Sequence, residues 1–286
     1  MRLFTRTMPD DFNLFLYGDQ HVGTTLYYTD GWCSLIDMMH SSYHGLPASK
    51  NFGIHHGDTV EAICVDDRRF DIDTIDRSAI PPMVQADVAI EQNRALAGKT
   101  ICFLQGNHEY TLSRFGDLTS YICKQLDMPY GTNTAKLSFV AKDGTLIYKH
   151  FCTHGRKSIS STADDPRRRR VNMELILKRH LKHKAGDCLV MSKGHTHKLL
   201  VCKPESDLYL TDDGARIKQV YTTSEQTDGY IHPDHRFFVN TGSFLKLYGD
   251  DVSGYAERFE YDPVELGFCI VIVRDRKVID VERVVV

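Results

Sequence analysis

Short apolar runs that stop at polar, metal-capable loops recur five times in the first two thirds of the chain. Residues 13–17 run into Gly18-Asp19-Gln20-His21, and residues 51–56 into Gly57-Asp58. Residues 100–105 lead to Gly106-Asn107-His108-Glu109, residues 146–153 to His154-Gly155, and residues 188–192 to Gly194-His195-Thr196-His197. Each run has the length and the β-branched or aromatic content of a buried strand. The stretches between them read as helices over residues 35–44, 84–96, 113–128 and 166–184. Pro81-Pro82 opens the second, and Asp164 and Asp165 ahead of Pro166 are suited to cap the fourth. Strands alternating with helices predict an α/β core. In such sheets the ligand site lies beyond the carboxyl ends of the strands, where all five loops fall. After Leu200 the pattern turns β-rich, with strands expected over 208–210, 236–239, 268–274 and 278–286. No repeat, low-complexity stretch or linker interrupts the chain. A single domain over residues 1–286 is therefore expected, its β-rich part from about residue 200 to 286 completing a second sheet.

Composition narrows the class. An apolar share of 42% and a charged share of 26% over 286 residues fit a globular protein that can bury a core without staples. A net charge of −3 creates no global pull towards nucleic acid or membranes, so basic surface has to be local. Residues 164–184 supply it, with eight Lys and Arg against three Asp and Glu, a net of +5. Arg167, Arg168, Arg169 and Arg170 head this helix and can guide a polyphosphate backbone; a solvated helix face is the competing reading. The eight cysteines are scattered, with no C-x-x-C pair, as buried free thiols would be. Residues 1–11 lack the apolar core of a signal peptide, and the longest apolar runs are too short to span a bilayer. A cytoplasmic location without membrane contact is the expectation.

Two divalent ions held close together need hard oxygens, imidazoles and a carboxylate able to bridge them. Asp19 and His21 offer a carboxylate and an imidazole two residues apart at a strand end, and Asp58 offers the bridge. Asn107 provides an amide oxygen that binds a metal without adding negative charge to a site that must accept phosphate. His154, His195 and His197 add imidazole nitrogens, with His150 a competitor to His154 four residues earlier. This N/O mixture suits manganese, iron, zinc or nickel better than magnesium or calcium alone. Taken singly the pieces are weak: a lone Asp-x-His is common on surfaces, and Gly-Asp after a strand is usually a turn. Five such elements in this order carry the argument. His55 and His56 read first as strand residues, and His40, His44, His180, His183, His232 and His235 as surface or packing residues.

The order GD-x-H, GD, GNHE, H-G and GH-x-H resembles the calcineurin-like metallophosphoesterase superfamily, over Asp19 to His197. The resemblance implies an α/β fold, a sandwich of two β-sheets flanked by helices, with a dinuclear site at one edge. It implies that Asp19, His21 and His197 hold one ion and that Asn107, His154 and His195 hold the other. Asp58 would bridge them, and manganese would be the first choice of metal. His108 would sit beside the phosphate, with Glu109 orienting it. Glu61 stands where many members carry Asp, outside the expected ligand set. The implied activity is phosphoester hydrolysis by metal-bound hydroxide, with His108, its imidazole held charged by Glu109, as the proton donor to the leaving group or, in the alternative, a purely electrostatic contact to the phosphate. A phosphodiesterase for nucleic acid or nucleotides is the leading expectation. A phosphomonoesterase and a metal-dead binding scaffold are the alternatives. The metallo-β-lactamase pattern H-x-H-x-D-H is excluded, because Lys198-Leu199 follows His197.

Overall fold

The computed structural model describes residues 1–67 and 70–286. In chain order the first half holds β1 (Arg2–Thr7), β2 (Phe12–Tyr17), α1 (Thr29–Met39), β3 (Asn51–His55), α2 (Pro82–Asn93), β4 (Thr100–Phe103), α3 (Asn107–Thr111) and α4 (Leu118–Gln125). It continues with β5 (Thr134–Val140), β6 (Leu146–Thr153), α5 (Pro166–Leu181), β7 (Val190–Lys193) and β8 (Leu199–Cys202). The remainder is β9 (Leu208–Asp212), β10 (Ile217–Tyr221), β11 (Phe237–Thr241), α6 (Tyr255–Arg258), β12 (Gly267–Arg274) and β13 (Lys277–Val285).

Two mixed sheets face each other. One has the order β1-β5-β6-β7-β11-β8 and the other β13-β12-β2-β3-β4, while β9 and β10 form a separate hairpin. Strands β2, β3 and β4 run parallel, as do β6, β7 and β11. The alternation of β2 sets the layering. Phe12, Leu14 and Leu16 join Leu137, Phe139, Tyr148, Val190 and Val239 in the cluster between the sheets. Phe15 and Tyr17, on the opposite face, pack with Trp32 and Leu35 of α1 and Ala86 and Ala89 of α2. Across the sandwich, Phe151, Met191 and Phe238 pack against Leu177 and Leu181 of α5. The order is therefore helices, sheet, sheet, helix, and central strands such as β2 and β11 are apolar or buried on both faces because both faces are covered.

The expected strands are found with shifts of one or two residues, and the helices with larger ones. Helix α1 starts at Thr29, ahead of residue 35, because Trp32, Leu35 and Met39 form one buried stripe. The segment expected as one helix over 113–128 is broken by Gly116 at φ 137°, after which Asp117 accepts from Ser120 N at 2.9 Å and caps α4. Asp165 caps α5 in the same way through Arg168 N at 2.7 Å. The β-rich tail divides between the sheets: β8 and β11 join the six-stranded one, β12 and β13 the five-stranded one. Strands β1, β5, β8 and β10 fall outside the expected set, although Ala135, Leu137 and Phe139 alternate inward along β5. The described cysteines are all free, five of them buried. No described helix is long and apolar enough to cross a membrane.

Phe139 is fully buried, with its ring 5.9 Å from that of Phe12 and 4.8 Å from that of Tyr148. Phe139→Ala should destabilise the fold by about 3–5 kcal/mol. Urea unfolding checks this as a lower midpoint at unchanged slope.

Candidate metal centre

The site assembles at the carboxyl ends of five strands. Asp19 and His21 follow β2, Asp58 follows β3, and Asn107 opens α3 after β4. His154 follows β6, and His195 and His197 follow β7. Five of these seven residues have left-handed backbones: Asp19 (φ 50°), His21 (57°), Asp58 (50°), His195 (76°) and His197 (52°). Non-glycine residues in that region carry strain of about 1–3 kcal/mol each and cluster where a site needs them. The turn at each strand end swings the side chain inward, away from the ladder direction.

Two glycines permit the loops to meet. Gly57 adopts φ 90°, and a Cβ there would lie 2.5 Å from Gly106 N. A Cβ on Gly106 would lie 2.0 Å from Asp58 Oδ1. No other residue type fits where the Asp58 and Asn107 loops touch.

The side chains form two groups whose ligand atoms lie within 4.8 Å of one another: Asp19, His21 and His197, and Asp58, His154 and His195. In the first, His21 Nε2 is 3.1 Å from His197 Nε2, and His197 Nε2 is 3.4 Å from Asp19 Oδ1. In the second, His154 Nε2 is 3.1 Å from Asp58 Oδ2 and 2.9 Å from Asn107 Oδ1. Asp58 Oδ2 is also 4.0 Å from His21 Nε2, so this oxygen stands between the groups. All seven residues named from the sequence are brought together. His150 is not among them: it lies inside the sandwich, with Nε2 2.7 Å from Ser192 Oγ.

The outer nitrogens of two imidazoles are already taken. His21 Nδ1–H donates to Glu61 Oε2 at 2.7 Å, and His154 Nδ1–H donates to the His56 carbonyl at 2.7 Å. Each bond directs Nε2 into the centre, the arrangement that fixes the tautomer of a metal-ligating histidine. Buried carboxylates, one amide oxygen and inward Nε2 atoms make a donor set that could hold divalent metal ions.

Electrostatics follow from burial. Burial would raise Asp19 and Asp58. For Asp19 the neighbouring His197 outweighs it, and for Asp58 the imidazoles of His154, His108 and His21 do, so both carboxyls lie below their usual values. Burial would lower His154, but the Asp58 carboxylate holds it up at about 9. Burial pushes His195 down to about 4 and lowers His21.

Two expectations change. Glu109 is expected to orient His108 and to hold its imidazole charged. Instead, its fully buried carboxylate accepts from Thr59 N (2.5 Å), Val60 N and Gly106 N (3.0 Å). It ties the Asp58 loop to the start of α3 and braces the site from behind. Burial and the charge of Asp58 push it up to about 7. Glu61 gains the role closer to the chemistry, because its Oε2 contacts His21 and lies 3.7 Å from His108 Nδ1. Ser243, which the sequence did not single out, donates through Oγ to the Asp19 carbonyl at 3.0 Å from the loop after β11. His56 also exceeds its reading as a plain strand residue, since its carbonyl holds His154. His55 keeps that reading, stacked 4.0 Å from Phe103.

Neither a scan against protein-family models nor a search of curated proteins found a match to this chain.

Metal loading should depend on pH with a definite sign. The His154 proton occupies Nε2 below about 9, so a metal must displace it at neutral pH. Apparent affinity should rise about tenfold per pH unit towards that value, with proton release seen by calorimetry in buffers of different ionisation enthalpy. Glu61→Gln should weaken binding by about 10–100-fold through His21. Affinity independent of pH and of Glu61 would show that metals bind elsewhere.

Proposed function

We propose that the chain is a two-metal phosphoester hydrolase of the calcineurin-like metallophosphoesterase type, acting on phosphodiesters. The observation that carries this reading is the position of Asp58 Oδ2, 3.1 Å from His154 Nε2 and 4.0 Å from His21 Nε2. A carboxylate in that position, between the two groups of imidazoles, could be shared by two ions. The helix–sheet–sheet–helix layering supports the same reading. Manganese is the first choice, with iron, zinc or nickel compatible with the same nitrogen and oxygen donors. Paired divalent ions would supply neutralisation of phosphoryl charge and an activated water for in-line attack.

The residues around them divide the remaining work. Asp19, His21 and His197 would hold one ion, and Asn107, His154 and His195 the other. Asn107 contributes oxygen without charge, which leaves the centre able to accept an anionic ester. His108 N donates to Asp58 Oδ1 at 2.9 Å, so the start of α3 and the shared carboxylate are fixed together. His108 Nδ1–H donates to the Glu61 carbonyl at 2.5 Å, which makes Nε2 the atom to hand a proton to the leaving alkoxide. The Glu61 carboxylate oxygen Oε2 lies 3.7 Å from the same Nδ1.

A diester substrate is favoured by the basic start of α5. The last turns of α5 meet the start of β11, where Arg236 Nη1 reaches the Lys182 carbonyl at 3.1 Å, so its first turn lies towards the opposite, carboxyl ends of the parallel strands β11, β7 and β6. Arg167 and Arg168 are exposed. Arg169 pairs with Asp262 at 3.3 Å and Arg170 with Glu174 at 3.0 Å, so the four arginines are not equivalent.

Metal-loaded protein should contain two ions per chain and hydrolyse bis(4-nitrophenyl) phosphate. Asp58→Asn should lose both metal and turnover. His108→Ala should keep the metals and lower turnover by about 10²–10⁴-fold for poor leaving groups, and less for nitrophenolate, which needs no proton. Two bound ions with no hydrolysis of diesters or monoesters would reject the reading. Preference for monoesters would reject the diester assignment alone.

Replacing Arg167 and Arg168 together by alanine should weaken single-stranded DNA binding. It should flatten the salt dependence by up to about one unit of slope per lost phosphate contact. Hydrolysis of the aryl diester should stay within about twofold, since no ligand is touched. Unchanged DNA affinity and slope would make this helix a solvated face.

A further inference from the structure

The two loops that carry His108 and His154 are joined at the surface by a stacked pair. Tyr110 stands two residues beyond His108, with 47% of its side chain exposed. Arg156 stands two residues beyond His154 and is also exposed. The Arg156 Cζ lies 5.1 Å from the centre of the Tyr110 ring. A second pair continues outward along the same segment, where Arg114 Cζ lies 4.6 Å over the ring of Phe115, itself 75% exposed. Aromatic rings left open to water beside guanidinium groups are costly to solvate and have no role in either core cluster. Rings interleaved with cations match the two parts of a nucleotide, a planar base and a phosphate.

From this placement we infer that Tyr110 and Arg156 form a base-stacking subsite for the nucleoside next to the scissile phosphate. The inference rests on the phosphodiesterase reading and makes it narrower: the substrate is a nucleotide diester with an unpaired base. Tyr110 takes the face of the base. Arg156 slides from the ring towards the adjoining phosphate, where a guanidinium can bind two oxygens at once. The ring sits on α3, whose first residues are held by Glu109 and by Asp58 Oδ1, so the platform is rigid relative to the metal ligands. A base in a duplex keeps its stacking partners and cannot lie on Tyr110, so single strands or mononucleotide diesters are the form taken. Tyr110 and Arg156 are specificity residues; neither belongs to the ligand set.

Two esters with one leaving group test this. Thymidine 5′-(4-nitrophenyl) phosphate carries a base, and ethyl 4-nitrophenyl phosphate carries none. In metal-loaded protein, Tyr110→Ala should lower kcat/KM for the thymidine ester about tenfold or more, mainly through KM, and change the ethyl ester less than about twofold. Tyr110→Trp should restore the thymidine ester, which a merely structural tyrosine would not allow. Arg156→Gln should raise KM for both esters, since both carry the phosphate that its guanidinium binds. Equal effects of Tyr110→Ala on both esters, or none on either, would overturn the subsite while leaving the phosphodiesterase reading intact. A loaded wild-type protein that cleaves neither ester overturns that reading and the subsite with it.

Discussion

Asp19 and Asp58 are both buried to within 1% of complete exclusion from water, at an edge where two sheets meet. A carboxylate in such a place is tolerated only if other groups replace its hydration. Backbone donors do part of this: His195 N reaches Asp19 Oδ1 and Oδ2 at 3.0 and 3.1 Å, and His108 N reaches Asp58 Oδ1 at 2.9 Å. Imidazoles do more, and the Asp58 carboxylate in turn holds His154 up at about 9 against the effect of burial. Glu109 adds a third buried carboxylate whose nearest charge is Asp58. Three acids gathered in one dry region make a strong field for cations. The loop geometry, the glycines and the tautomers around them all serve to maintain that field.

Strain is the second ingredient. Five of the thirteen described non-glycine residues with positive φ are candidate ligands. A strand directs alternate side chains to its two faces, so consecutive ligands such as His195 and His197 would both point along one face of the sheet if the strand continued. Left-handed turns break that alternation and bring the side chains together over the sheet edge. The sandwich core, with Phe12, Phe139 and Tyr148 in mutual ring contact, holds the strand ends still enough for such turns to persist.

The groups one step behind the ligands decide which atoms face the centre. Glu61 and the His56 carbonyl hold the outer nitrogens of His21 and His154. Behind His56, the Ser192 hydroxyl sits 2.6 Å from His56 Nε2 and 2.7 Å from His150 Nε2, extending the buried polar chain into the sandwich. The length of the Glu61 side chain lets one carboxylate reach His21 and still lie near His108. The same residue thus links the metal-facing tautomer to the proton donor of the proposed reaction.

The sequence by itself determined the type of the elements that carry the site and the seven residues that converge. Apolar runs ending in Gly-Asp, Gly-Asn-His-Glu and Gly-His-Thr-His are local signals, because strand length, buried periodicity and turn chemistry are set by near neighbours. Helix limits were less legible: Gly116 divides the expected 113–128 helix, and Trp32 extends α1 backwards, since its burial depends on Tyr17 across the layer. Only the tertiary structure decided that His154, and not His150, enters the site. The two lie four residues apart near the end of one strand, and the end of β6 falls between the sandwich interior and the open edge. It alone decided that Glu109 braces backbone while Glu61 faces the imidazoles, because a carboxylate's role depends on which donors come within 3 Å of it. Apart from Gly106, those donors lie in loops distant in the chain, as Thr59 does from Glu109 and His21 from Glu61, and no local pattern encodes the distance between them.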